Sequence, residues 1–265
     1  MLYKYSMQIP SLSCVKHILR KYYSGLLYPQ TCVLCGNKSG DGLPLCKRCI
    51  DMEFTPYLES AGFSDSTTGC NTRCRHCGKI LISEKHYCTR CRPSDNEHAE
   101  QPPQSCTRIF TLFPYIGLGQ RLLPVWKNNN IRTFSAVFAP LVRRFLMQNP
   151  ELTQLPIVPV PPRPKKLREK GWDQVEDLAH DLAAYPPLKV YRCLKRKDGT
   201  PQKKLSKKDR AINLQGKIST AGKQIPEKLL LLDDVMTTGA TLEACARILK
   251  QAGSTTVYAL CLFFD

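Results

Sequence analysis

The chain of 265 residues has no apolar run approaching the roughly 20 residues that a membrane-spanning helix requires. The leucine run at residues 229–232 ends at once in two aspartates. A clean secretory core is missing as well. The first thirty residues interleave Lys4, Lys16, His17, Arg20 and Lys21 with apolar ones, so a cytoplasmic location is expected. Acidic residues are scarce: 22 Asp and Glu stand against 39 Lys and Arg, a net charge of +17. That excess suits a protein that meets a polyanion better than an enzyme of small metabolites. The two tryptophans, Trp126 and Trp172, could stack on bases or fill the core. What is not scarce is apolar material, at 42%, which excludes a wholly disordered chain.

Cysteine is abundant, with 14 residues, and eight of them fall into two sets of identical spacing. Cys32 and Cys35 precede Cys46 and Cys49; Cys74 and Cys77 precede Cys88 and Cys91, and ten residues separate the pairs in each set. The sets are offset by 42 residues, so a small unit has been duplicated. A CxxC pair sets two thiolates on one knuckle, and two knuckles complete a tetrahedral four-sulfur site. Gly36 and Gly78 follow the second cysteine of each leading pair and let the chain turn back. Disulfides would need an oxidising compartment. A redox CxxC would sit singly at a strand-to-helix junction. Two structural zinc ions are therefore expected, although iron also suits four sulfurs. Cys245 and Cys261 read as core, and Cys70 is near enough to a set to substitute as a ligand.

Residues 11–28 read as a short amphipathic helix. The polar, proline-containing stretch at 93–105 marks a domain boundary. Beyond it, strands are expected at 109–116, 157–160, 188–194, 229–232 and 257–264. Helices are expected at 136–146, around Val175 to Ala183, and along the face formed by Leu242, Cys245, Ala246 and Leu249, with Gly253 as the stop. Alternating strand and helix argues for a parallel α/β sheet covered on both faces. The run at 229–232 is its central strand.

The segment LLLLDDVMTTGAT at 229–241 carries the chemistry. A buried strand delivers Asp233 and Asp234 at its carboxyl end, where such sheets bind ligands. Thr237, Thr238, Gly239, Ala240 and Thr241 then open a helix whose amides and hydroxyls suit a phosphate. The acids suit sugar hydroxyls. This string resembles the phosphoribosyl-pyrophosphate (PRPP) signature of type I phosphoribosyltransferases. The block IVPVPPRPKKLREKGWDQ at 157–174 resembles the "PVP…R…RGFNQ" block of the ComF family. Arg196, Thr200, Gln202, Leu205, Arg210 and Asn213 follow another block of that family. Lys170, Trp172, Asp173 and Lys217 depart from its usual residues.

The resemblance implies a double zinc-ribbon module at 30–93 behind a helical lead at 1–29. A linker at 94–105 and a type I phosphoribosyltransferase-like domain at 106–265 would follow. It implies that Asp233 and Asp234 hold the ribose hydroxyls and residues 237–241 the 5′-phosphate. Arg163 and Lys165 would bind pyrophosphate, with magnesium arriving on PRPP. Asp233, Asp234 and Arg196 are the candidate catalytic residues. The implied role is in natural transformation, handling incoming single-stranded DNA. A salvage transferase, or a scaffold docking a DNA translocase, is the alternative.

From Lys189 to Arg210 there are ten Lys or Arg against two Asp, a net of +8. Such a run is commonly a solvated surface. It could also close over a diphosphate as a lid, or bind nucleic acid through Lys203, Lys204, Lys207, Lys208 and Arg210. Arg73, Arg75, Lys79, Lys85, Arg90 and Arg92 in the second cysteine unit would extend such a track.

Overall fold

The computed structural model describes residues 31–40, 42–59, 61, 73–89, 91–92, 105–197 and 216–265. The helix expected at 11–28, the linker apart from Ser105, Cys70, Arg90 and the basic residues from Thr200 to Asn213 lie outside the described residues. Among the described residues no helix is long and apolar enough to cross a membrane.

The strands are β1 (Arg108–Pro114), β2 (Ile157–Pro159), β3 (Leu194–Arg196), β4 (Ile218–Thr220), β5 (Lys228–Met236) and β6 (Thr256–Phe264). Four of them form a parallel sheet in the order β1-β6-β5-β2. β3 and β4 pair antiparallel as a separate ribbon. The helices are α1 (Lys47–Glu59), α2 (Gln120–Asn128), α3 (Phe134–Met147), α4 (Pro164–Lys170), α5 (Gln174–Leu182) and α6 (Ala240–Gln251).

β5 lies between two neighbours, so its apolar run is buried on both sides. Because side chains alternate along a strand, Leu230 and Leu232 enter one core with α1, α2, α3 and α5. Leu229 and Leu231 enter the other with Leu242, Cys245, Ala246 and Leu249 of α6. The helical face expected at 242–249 is thus present, and β5-α6-β6 is the parallel crossover foreseen from the alternation. Cys245 and Cys261 are fully buried, as read.

The first core is aromatic. Phe134 and Phe138 pack on Trp126, which is 0% exposed, and Phe113 and Phe263 pack in turn on Phe138. Trp172 is 5% exposed and donates its indole N–H to Asn130 at 3.1 Å. Neither tryptophan offers a face to a base; both are core.

The stretch at 188–194 is not the strand its composition suggests. After Pro186 and Pro187, Val190 makes a single parallel bridge to Ile157. The chain then leaves the sheet, and Leu194 turns to pair with Thr220. α1 has no counterpart in the sequence reading, because Pro56 and scattered polar residues hide its periodicity.

Candidate functional site

The duplication is visible in the backbone. Thr31 bridges Lys38, and Arg73 bridges Ile80, each antiparallel and each pair 42 residues from its counterpart. Gly36 N–H donates to Cys32 O at 2.8 Å and Gly78 N–H to Cys74 O at 3.0 Å. Both glycines have positive φ, 74° and 69°, as the knuckle turn requires.

In each set the four sulfurs lie within 4.8 Å of one another. Cys35 and Cys46 place their Sγ atoms 3.7 Å apart, as do Cys77 and Cys88. A tetrahedron with metal–sulfur bonds of about 2.3 Å has an edge of about 3.8 Å, so the spacing fits zinc and is too long for a disulfide. All the described cysteines are free thiols. Crowding divides them. Hydrogen bonds with Cys77 and Cys91 pull the Cys74 thiol far below its ordinary range, and contacts with Cys74 and Cys91 push Cys77 up. A divalent cation would let all four ionise together.

The two copies are seated differently. The first set borders α1 and the aromatic core, with Cys35 exposed. The second is pressed onto β1, and Cys74, Cys77 and Cys88 join the core beneath α6. A Cβ on Gly78 would come within 2.9 Å of both Ile109 O and Thr111 N. Thr111 Oγ1 donates to Gly78 O at 2.9 Å, and Ile109 N–H donates to His76 O at 2.8 Å.

Arg73 closes this seam. Its guanidinium donates to Gly78 O (3.1 Å), Thr111 O (2.6 Å), Tyr57 O and Leu112 O (both 3.2 Å). Burial lowers its pKa to about 10. The sequence reading placed Arg73 on a nucleic-acid track. In the structure it is a staple between the second knuckle, α1 and β1.

At the carboxyl end of β5, the two acids part company. Asp234 is 8% exposed and its Oδ2 is 2.8 Å from both Lys127 Nζ and Gln174 Nε2. Gln174 in turn accepts from Lys166, which also pairs with Asp173 at 2.7 Å. Asp173 Oδ1 caps α5 by accepting from the amides of Val175 and Glu176. Burial alone would raise the Asp234 pKa. The Lys127 charge and hydrogen bond, with Gln174 and Lys166, outweigh it and hold the group below the ordinary carboxylate range.

Asp233 lies on the other face of the strand. Burial and the neighbouring Asp234 charge push its pKa well up. It accepts from Asp234 N–H at 2.9 Å, and its charge acts on Arg196 at the end of β3. Arg196 is half-buried. Its pKa is lowered first by desolvation and then by the nearby Arg163 charge, with Cys245 and Asp233 opposing. Arg163 is the residue before α4, just past β2.

Beyond Met236 the chain turns through Thr237 and Thr238 to Gly239, whose φ of 73° makes a left-handed cap to α6. Thr238 Oγ1 accepts from Ala240 N–H at 3.4 Å. The cap residue itself puts no side chain over the first amides of α6.

Electrostatic influence therefore links Arg196 to both Asp233 and Arg163, and Asp233 lies on β5, the strand that runs into the turn at 237–241. Lys165 is exposed and pairs with Glu169 at 3.8 Å along α4. Lys127, Lys166 and Gln174 escaped the sequence reading as site residues. Gln174 had a signal, since it ends the block at 157–174; Lys127 belongs to no motif.

No protein-family model matches the chain. It is 26% identical over 221 residues to Competence protein F of Haemophilus influenzae, spanning 78% of this chain and 92% of that one. It is 31% identical over 100 residues to Competence protein ComFC of Streptococcus pneumoniae, spanning 37% of this chain and 42% of that one. A hypoxanthine phosphoribosyltransferase from Staphylococcus aureus aligns with a TM-score of 0.26 at 16% identity, over 43% of this chain and 55% of that one. With paired tetrathiol knuckles set on a parallel α/β sheet, the chain is similar in sequence to competence proteins F and ComFC over these shares.

Proposed function

We propose that the chain binds PRPP, or a related phosphoribose, at the carboxyl edge of β5, and serves natural transformation by handling incoming single-stranded DNA. The carrying observation is the succession of a half-buried acid near the end of β5 and a glycine-capped helix start just beyond it. The Asp233 charge acts on Arg196, and Gly239 opens α6 two residues beyond the turn's first threonine. Carboxylate oxygens accept from sugar hydroxyls, and helix amides donate to a phosphate. Arg163 and Arg196 answer the charge of a diphosphate, where magnesium on the ligand's own oxygens would neutralise the rest. The names of the relatives support the transformation role, and the net charge of +17 supports a polyanionic partner.

Titration of PRPP with magnesium into the wild-type chain and an Asp233→Ala/Asp234→Ala variant tests the ligand. Binding by the wild type that is lost in the variant is expected; equal affinity removes the assignment. A short single-stranded DNA tests the partner. Binding should weaken with salt, and removing Lys203, Lys204, Lys207 and Lys208 should reduce the logarithmic slope by about 3 if all four meet phosphates. An unchanged slope excludes that segment as the contact. Release of pyrophosphate from PRPP, with and without DNA, would decide for an active transferase.

A further inference from the structure

The second cysteine knuckle reaches the same edge of the sheet as the turn at 237–241. Lys79 directly follows Gly78, and its Nζ lies 5.6 Å over the ring centroid of Phe264. Phe264 is the register partner of Met236, and Asp265 N–H donates to Met236 O at 3.0 Å. Met236 immediately precedes Thr237. The ring that seats the Lys79 ammonium is therefore the neighbour of the strand end from which the turn departs.

Lys79 is exposed, but its backbone is not free to wander. Its carbonyl accepts from Cys74 N–H at 2.7 Å, and the residue before it is wedged against β1. Sheet order places this cation on the β6 and β1 side of β5. Arg163 leaves the neighbouring strand β2 on the other side. Positive groups thus flank the turn from both directions, one of them supplied by the cysteine module.

We infer that Lys79 is a phosphate-binding cation of the β5 edge, positioned there by the second knuckle and its seat on Phe264. The chemistry it recognises is an anionic oxygen of a phosphate ester. The inference rests on the phosphoribose reading above and adds a contact from outside the strand-turn-helix segment. It gives the second knuckle a part in binding as well as in folding.

Calorimetric titration of PRPP with magnesium into the full chain, with zinc content measured in parallel, is the test. Lys79→Met keeps the stem over Phe264 and removes the charge. It should weaken binding roughly threefold, the size of one exposed charge pair, with zinc unchanged. Lys79→Arg should bind as the wild type. Phe264→Leu removes the seat and should also weaken binding, again with zinc content unchanged. If Lys79→Met binds PRPP like the wild type while Asp233→Ala does not, the inference falls and the phosphoribose reading stands. If the wild type fails to bind PRPP, both fall.

Discussion

Lys127 Nζ on α2 sits 2.8 Å from Asp234 Oδ2, whereas Asp233, the preceding residue, points to the opposite face of the strand. Two adjacent acids at a sheet edge therefore have opposite electrostatic fates. One is held ionised by a lysine and an amide, and the other retains its proton more tightly than an ordinary carboxyl.

These fates predict opposite effects from the same substitution. Asp234→Asn should destabilise the protein by about 2 kcal/mol, since it removes the negative charge from the bond that Lys127 donates and leaves that partly buried ammonium without its counter-ion. Asp233→Asn should raise the melting temperature at neutral pH by removing a buried like charge. The signs follow from linkage. The depressed pKa of Asp234 gives stability that is present above the unfolded value and lost as pH falls through the folded one. The raised pKa of Asp233 gives stability that is present below the unfolded value and lost as pH rises through the folded one. Thermal denaturation of both variants between acid and neutral pH checks this; equal shifts of one sign would contradict it.

Arg73 predicts a large effect from a conservative change. A guanidinium forks to four carbonyls on three elements, and an ammonium cannot span them. Arg73→Lys should cost about 3 kcal/mol in denaturant unfolding while leaving binding of short DNA unchanged. A loss of DNA affinity with full stability would restore Arg73 to the nucleic-acid surface.

The two cysteine sets should release metal in order. Cys35 is exposed in the first set, whereas Cys74, Cys77 and Cys88 are all buried in the second. A chelator should therefore strip one ion per chain early and the other only with unfolding. Colorimetric zinc release followed alongside circular dichroism separates the steps. A single phase in both signals would mean that the sets behave alike.

Legibility followed the range of the interaction. The cysteine knuckles were readable because their ligands repeat at short spacing, and the backbone bridges at 31–38 and 73–80 keep the same offset. The central strand was readable because burial on both faces leaves an unbroken apolar run at 229–232. Residues 188–194 misled because β-favouring side chains there serve a bridge and a bend rather than a ladder. Lys127 and Arg73 were invisible as partners because what they bind is set by tertiary approach, which no local pattern records.

Gln174 adds one more consequence. Its amide presents oxygen to Lys166 and nitrogen to Asp234, so a side chain without net charge passes a lysine's polarity across to an acid. A glutamate of the same length would turn that relay into repulsion at its far end. The orientation of a single neutral group thus governs how negative the sheet edge is toward whatever arrives there.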